Sequence, residues 1–183
     1  MLACALSFIW RVAVGSSFHV WDADAWYYAR IGQALLDARW DLALTMHVPP
    51  LFGWMLSILG PWMTSGTIVF QAACLVLSGL GLLRLGRVLG VATALPASLM
   101  LLFSHSVERY GLQGLPDAPF LALHLWLLGE LASAVPRLSR ILPSILILAL
   151  LRFDTLLFIP LYAIFPSVIA GRPSWTGLRQ VGI

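Results

Sequence analysis

The sequence contains no lysine, and its eleven basic residues are all arginine. Charge of either sign is scarce, at 10% of residues, where a soluble domain carries roughly a quarter. Cysteine is limited to Cys4 and Cys74, each inside an apolar stretch. That excludes a disulfide framework or a zinc site and leaves packed thiols. There is no basic cluster either. The arginines are scattered between apolar runs, so the pI near 9.3 gives no nucleic-acid signal. Neither a low-complexity tract nor an internal repeat is present. The apolar N-terminus lacks the basic start and small-residue cleavage site of a signal peptide and reads as a retained first span. What remains is 60% hydrophobic, with a mean hydropathy of +0.91. A chain this apolar cannot cover itself with polar surface in water. The reading is all-α: a polytopic transmembrane helical bundle forming one domain over residues 1–183.

About six spans are expected. Residues 2–20 form a first, weak span interrupted by Arg11. Residues 21–63 form an outer loop with interfacial helices. Within it Pro49-Pro50 breaks the chain, and residues 51–63 are too short, at about 20 Å, to cross a hydrocarbon core of ~30 Å. Trp54 and Trp62 suit a helix lying along the membrane surface. Residues 66–83 are a clear span ended by Arg84 and Arg87, and residues 88–104 are the next, with Pro96 inside. A polar loop over 105–116 precedes a span over 117–135. The apolar run 141–170 is broken by Arg152-Phe153-Asp154 and reads as two short spans. With the N-terminus inside, Arg84, Arg87, Arg137, Arg140, Arg172 and Arg179 all face the cytoplasm, as the positive-inside rule asks. The acidic residues Asp22, Asp24, Asp37, Asp41, Glu108, Asp117 and Asp154 fall outside, beside Arg30, Arg39, Arg109 and Arg152.

The most polar helix-like stretch is WDADAWYYARIGQALLD, residues 21–37. Tyr28, Ile31 and Leu35 follow Asp24 at helical spacing, so one face carries a carboxylate, a phenol and two aliphatics. Aromatic residues beside charges mark a membrane–water interface. Two carboxylates spaced as Asp22 and Asp24 can hold a divalent cation, or supply one base and one helper. An N-cap role for Asp24, ahead of a helix starting at Ala25, is the plainer reading and is compatible with the functional one. Asp117 at the head of a span is open to the same two readings. Arg152 is either a phosphate ligand or a structural partner of Asp154. His124 lies seven residues beyond Asp117 on one helical face, as a polar packing residue or a functional group. Glu130 is expected to pair with Arg84 or Arg137.

Three segments in order, DAWYYARIGQALL from Asp24, VPPLFGWMLSILG from Val48 and LPDAPFLALHLWLLG from Leu115, resemble the GT-C membrane glycosyltransferases. Within that superfamily they are most similar to the bacterial aminoarabinose and protein O-mannosyl transferases. The run ILALLRFDTLLFIPL from Ile147 is similar to that family's break between later short spans. Two positions depart from the pattern: Ala25 stands where the family carries Glu, and Val48 where aminoarabinose-type members place Lys before Pro-Pro, with His47 one position earlier. The resemblance implies a multi-pass protein of the bacterial inner membrane with its site on the periplasmic side. It implies inverting transfer of a hexose- or pentose-type sugar from a polyprenyl phosphate to a hydroxyl of a lipid or protein acceptor. Asp24 falls on the family's catalytic aspartate, with Asp22 as helper, and Tyr28 and Asp117 on its conserved tyrosine and second aspartate. His47, Arg109 and Arg152 are then candidates for the substrate phosphate, with Arg30 on the same side. A divalent cation is a possible cofactor. Family members carry further spans after the Arg152-type break, so residues 1–183 are expected to form a truncated module. The alternative is a non-catalytic polytopic subunit that binds a lipid-linked sugar or a partner transferase.

Overall fold

Apolar runs punctuated by proline, glycine and short polar turns fold here as helices packed on helices. In the computed structural model, which describes residues 2–17, 23–45, 49–59, 63–104, 112, 115–133 and 135–169, they are α1 (Leu2–Ser17), α2 (Ala23–Leu36), α3 (Trp40–Thr45), α4 (Pro50–Ile58), α5 (Met63–Val88), α6 (Ala94–Phe103), α7 (Asp117–Leu131), α8 (Leu138–Leu151) and α9 (Thr155–Ile169). No strand occurs among the described residues, so the chain is all-α.

The centre of the bundle is a parallel pair, α5 and α7. Its register is fixed at three heights. The Gln71 amide donates to the Leu115 carbonyl at 2.7 Å, the Trp126 indole to the Leu77 carbonyl at 3.2 Å, and Arg84 reaches Glu130 at 2.9 Å. Between them Cys74 and Leu75 pack against Ala118 and Ala122. Parallel neighbours need a returning segment, and α6 supplies it. Gly90 takes a left-handed conformation, with φ of 68°, which ends α5 and lets the chain reverse. Ser98 then donates to the Gly79 carbonyl at 2.5 Å and ties α6 to α5. Arg11 on α1 is 1% exposed and donates to the Leu101 and Leu102 carbonyls at 2.9 and 2.8 Å. Those carbonyls belong to the last turn of α6, where they have no intrahelical partner. The sequence suggested that Arg11 weakens its helix; the structure uses it to join two helices.

Helix α8 runs back along α7, and α9 completes a cluster of Leu127, Leu131, Ile141, Leu148 and Tyr162. The break between α8 and α9 falls where the sequence placed it. Arg152 is extended (φ −149°, ψ 120°), and Thr155 donates to the Leu148 carbonyl at 3.0 Å. Helix α4 starts with Pro50 in its first turn, where the missing N–H costs no bond, and Pro49 ahead of it is extended. This nine-residue helix and α2 form a small layer over one end of the bundle, through Tyr28, Phe52, Leu56 and Leu151.

Several expected boundaries move. Helix α5 continues through Arg84 and Arg87 instead of stopping before them, because Glu130 receives Arg84. The expected span 88–104 shortens to the ten residues of α6, about 15 Å long, since residues 89–93 are spent on the reversal. Among the described residues one helix, Ser65–Val88, is long and apolar enough to cross a membrane. Leu2–Val14, Ala94–Phe103, Leu138–Leu151 and Thr155–Ile169 are apolar but shorter.

Charge separates along the bundle. Asp117, Arg152 and Asp154 lie at the end that α2 and α4 cover, and Arg84, Glu130, Arg137 and Arg140 meet at the other.

Candidate functional site

The covered end holds a cleft of about 380 Å³, lined by Asp24 and Tyr28 from α2, Pro49, Leu115-Pro116-Asp117 at the start of α7, and Arg152-Phe153-Asp154 between α8 and α9. Each wall has a local cause. The α2–α4 wall depends on two facing glycines: a Cβ added at Gly32 would run into the Gly53 carbonyl oxygen, and one at Gly53 would lie 2.6 Å from the Tyr28 carbonyl oxygen. Small residues let two helix backbones approach this closely. Tyr28 meets Phe52 edge to face, with ring centroids 5.3 Å apart. Gln71, fully buried, anchors the Leu115 carbonyl and so sets the start of α7. The short 152–154 turn presents Arg152 into the cleft.

Arg152 is the electrostatic hub. One arm of its guanidinium is bound to Asp117, and another donates to Asp154 Oδ2 at 2.9 Å, with Nε 3.2 Å from Oδ1. Its carbon sits 5.3 Å from the centroid of the Phe120 ring, within cation–π range. Burial works against the guanidinium charge, but hydrogen bonding and attraction from Asp154 and Asp117 outweigh it and hold the Arg152 pKa above its ordinary value. The side chain remains 38% exposed, with Asp117 and Asp154 at 44% and 42%. All three are therefore reachable from the cleft. Tyr28 is 7% exposed. Burial raises its pKa, opposed by Arg152 and reinforced by Asp117, Asp24 and Asp154. The phenol is thus an O–H donor at neutral pH. Three carboxylates face one guanidinium, so the cleft is acidic.

Below the cleft Phe120 stacks on His124 at 5.6 Å, and His124 Nδ1 lies 2.7 Å from the Tyr162 hydroxyl. His124 is therefore a satisfied polar group inside the bundle, one of the two roles the sequence left open.

Of the residues singled out from the sequence, Asp24, Tyr28, Asp117 and Arg152 come together in this cleft. Asp22, His47 and Arg109 lie outside the described residues. Arg30 does not join the cleft. It lines a separate groove between α2 and α3 with Gln33, Asp37 and Arg39. The capping readings also change. Helix α2 begins at Ala23, so Asp24 lies inside its first turn rather than ahead of it. Pro116 occupies the N-cap of α7, and Asp117 is the first helical residue, turned to Arg152. Carboxylates in a first turn still gain from the helix dipole. Sequence reasoning missed Pro49, Leu115, Pro116 and Phe153 as lining residues and treated Asp154 only as a partner for Arg152. The position of Asp154 among the residues read as outer was the available signal.

Among the described residues no group of three His, Cys, Asp or Glu side chains is placed to hold a metal ion. The arrangement offers a carboxylate at the rim, a buried phenol donor and a guanidinium held by two carboxylates. Such a set can accept a proton from a hydroxyl and neutralise a leaving anion. No protein-family model, curated protein or solved structure matches the chain.

Proposed function

We propose that this chain is a polytopic membrane protein of the GT-C type that moves a sugar from a polyprenyl-phosphate donor to an acceptor hydroxyl on the outer face of the membrane. The observation that carries the reading is the convergence of Asp24 and Tyr28, Asp117, and Arg152, from three separate stretches, on one cleft. The membrane placement draws on the same molecule. Leu2, Leu6, Met100, Leu142, Leu146 and Leu157 are each more than half exposed on their helices, and exposed large apolar side chains suit contact with lipid.

In this reading the acceptor oxygen attacks the anomeric carbon from the face opposite the phosphate. Asp24 takes the hydroxyl proton as the C–O bond forms, and the bond to the polyprenyl phosphate breaks with its electron pair, inverting the centre. Arg152 stabilises the departing phosphate, and Tyr28 donates a hydrogen bond within the same cleft. The experiment is transfer of radiolabelled sugar from polyprenyl phosphate in membranes carrying an active form of the protein, with Asp24→Asn beside it. Loss of a general base costs about a hundred- to ten-thousand-fold in rate. Near-normal transfer by Asp24→Asn would refute the assignment.

A second reading, a non-catalytic subunit that binds a lipid-linked sugar or a partner transferase, is favoured by one observation. Arg152 is already engaged by Asp117 and Asp154, which leaves less of its charge for a phosphate. Saturable binding of the polyprenyl-phosphate sugar, without transfer under any partner condition, would select it.

A further inference from the structure

At the end of the bundle away from the cleft, arginines of α5 and of the start of α8 meet at one buried carboxylate of α7. Glu130, with its side chain 8% exposed, binds Arg84 at 2.9 Å and Arg140 at 3.5 Å and accepts the Arg137 backbone N–H at 3.3 Å. Arg87, one turn beyond Arg84 on α5, is exposed, as is Arg137. Arg84 is further fixed by lying 5.0 Å over the Trp126 ring. A single carboxylate cannot neutralise both Arg84 and Arg140, and the exposed Arg87 and Arg137 add to the charge. Glu130 holds Arg84 and Arg140 together and leaves a positive excess, and the Arg140 side chain stays 57% exposed. Exposed apolar residues flank the cluster: Val88 at the end of α5, Val135 before α8, and Leu138 and Leu142 along α8. A cationic patch bordered by apolar helix surface matches a ligand with an anionic head and hydrocarbon tails.

We propose that this end of the bundle is a binding site for an anionic phospholipid, with the headgroup phosphate on Arg87 and Arg140 and the acyl chains along Val88, Val135 and Leu142. Glu130 acts as the organiser that draws α5, α7 and α8 into one cation cluster. Arginine suits this role because its planar fork meets phosphate oxygens in pairs, and basic pockets at helix ends attract anionic lipid heads. The inference shares with the proposed function only the placement in a bilayer; it requires neither catalysis nor a particular sugar.

The test uses the full chain in phosphatidylcholine vesicles containing a fixed fraction of phosphatidylglycerol, followed by gentle detergent extraction. Native mass spectrometry then counts retained phosphatidylglycerol against phosphatidylcholine. The unaltered chain should retain phosphatidylglycerol in clear excess over the vesicle ratio. Arg87→Gln with Arg140→Gln should cut that preference about fivefold per arginine removed. Arg87→Lys with Arg140→Lys should keep most of it, and Arg39→Gln, at the other end, should leave it unchanged. If the double glutamine variant loses helix content by circular dichroism, Arg87→Gln alone decides, since its position is exposed. Absence of any preference, or an undiminished one in the glutamine variants, would overturn the inference while leaving the cleft assignment standing. Displacement by millimolar inorganic phosphate would assign the cluster to a free anion and also overturn it. Failure to enter vesicles at all would remove the membrane placement and both proposals with it.

Discussion

The α2–α4 contact should be highly sensitive to a single added methyl group. At Gly32 an alanine Cβ would collide with the Gly53 carbonyl oxygen and approach its carbonyl carbon and Ser57 Cβ at 2.8 Å each. Two of those neighbours are backbone, so no rotamer change relieves the contact, and the helices must separate by on the order of 1 Å to restore normal van der Waals spacing. Overpacking of this kind costs about 1–3 kcal/mol, and a rigid backbone partner puts Gly32→Ala at the upper end. Alanine returns roughly 1 kcal/mol of helix propensity, leaving a net loss of about 2 kcal/mol. For a chain of 183 residues that corresponds to a fall in Tm of about 4–8 °C. Gly79→Ala is the internal control. Its Cβ would meet only Leu102 Cδ2 and Cγ, at 2.7 and 2.8 Å, and that side chain can rotate, so the net effect should stay within about 1 kcal/mol. Because α2 and α4 carry Asp24, Tyr28 and Pro49, Gly32→Ala should also lower transfer activity about a hundredfold, the usual result of an ångström misplacement. Thermal unfolding in detergent, followed by circular dichroism, gives the stability comparison. Equal Tm values for the two variants would refute the reasoning, because they would mean the two helices are free to move apart.

Arg84→Gln removes the closest partner of the buried Glu130 and leaves Arg140 and the Arg137 N–H; with Arg84 itself 32% exposed, the loss should be about 2 kcal/mol, below the 3–5 of a fully buried pair. Combining it with Glu130→Gln should recover part of that loss in the same melting assay. Tyr162→Phe takes the hydroxyl from His124 Nδ1 and should cost about 1 kcal/mol with the cleft unchanged, read as a lowered Tm at normal ligand binding. Single cysteines at Ala38 and Ser139, after removal of Cys4 and Cys74, should label from opposite sides of intact cells; labelling of both from outside would refute the spanning arrangement.

Local grammar made part of this structure legible in the sequence. The Arg152-Phe153-Asp154 break, the start of a helix at Pro49-Pro50 and the face shared by Tyr28 and Ile31 all follow from charge, proline geometry and helical spacing. The pairing of Glu130 with Arg84 followed because few charges in the apolar runs had any partner available. The candidate site was half legible. Asp24 and Tyr28 were marked by their register, but the pairing of Arg152 with Asp117 spans 35 residues and depends on how α7 and α8 pack. The Gly32–Gly53 contact was hidden for the same reason, since a glycine in a helix does not announce what approaches it. Arg30 and Arg152 looked alike as outer cations, and only the turn of α2 sends Arg30 to the other groove. The shortened α6 was missed because hydropathy counts the apolar residues of a reversal as readily as those of a helix.

The parallel run of α5 and α7 has a consequence for biosynthesis. Two neighbours that point the same way cannot zip together as a hairpin while they are being made. On a ribosome adding about 5–20 residues per second, α1, α5 and α6 can dock first, with Arg11 already seated on the end of α6. Helix α7 then slides into register against α5 from Gln71 to Arg84. The guanidinium that Asp117 needs arrives only with the turn after α8. Until that moment the acidic head of α7 faces its surroundings without its counter-charge, and the α2–α4 layer lacks Leu151 beneath it. The cleft therefore closes only once α8 has been made, and a factor that shields an acidic helix end during synthesis would act at the interval between residues 117 and 152.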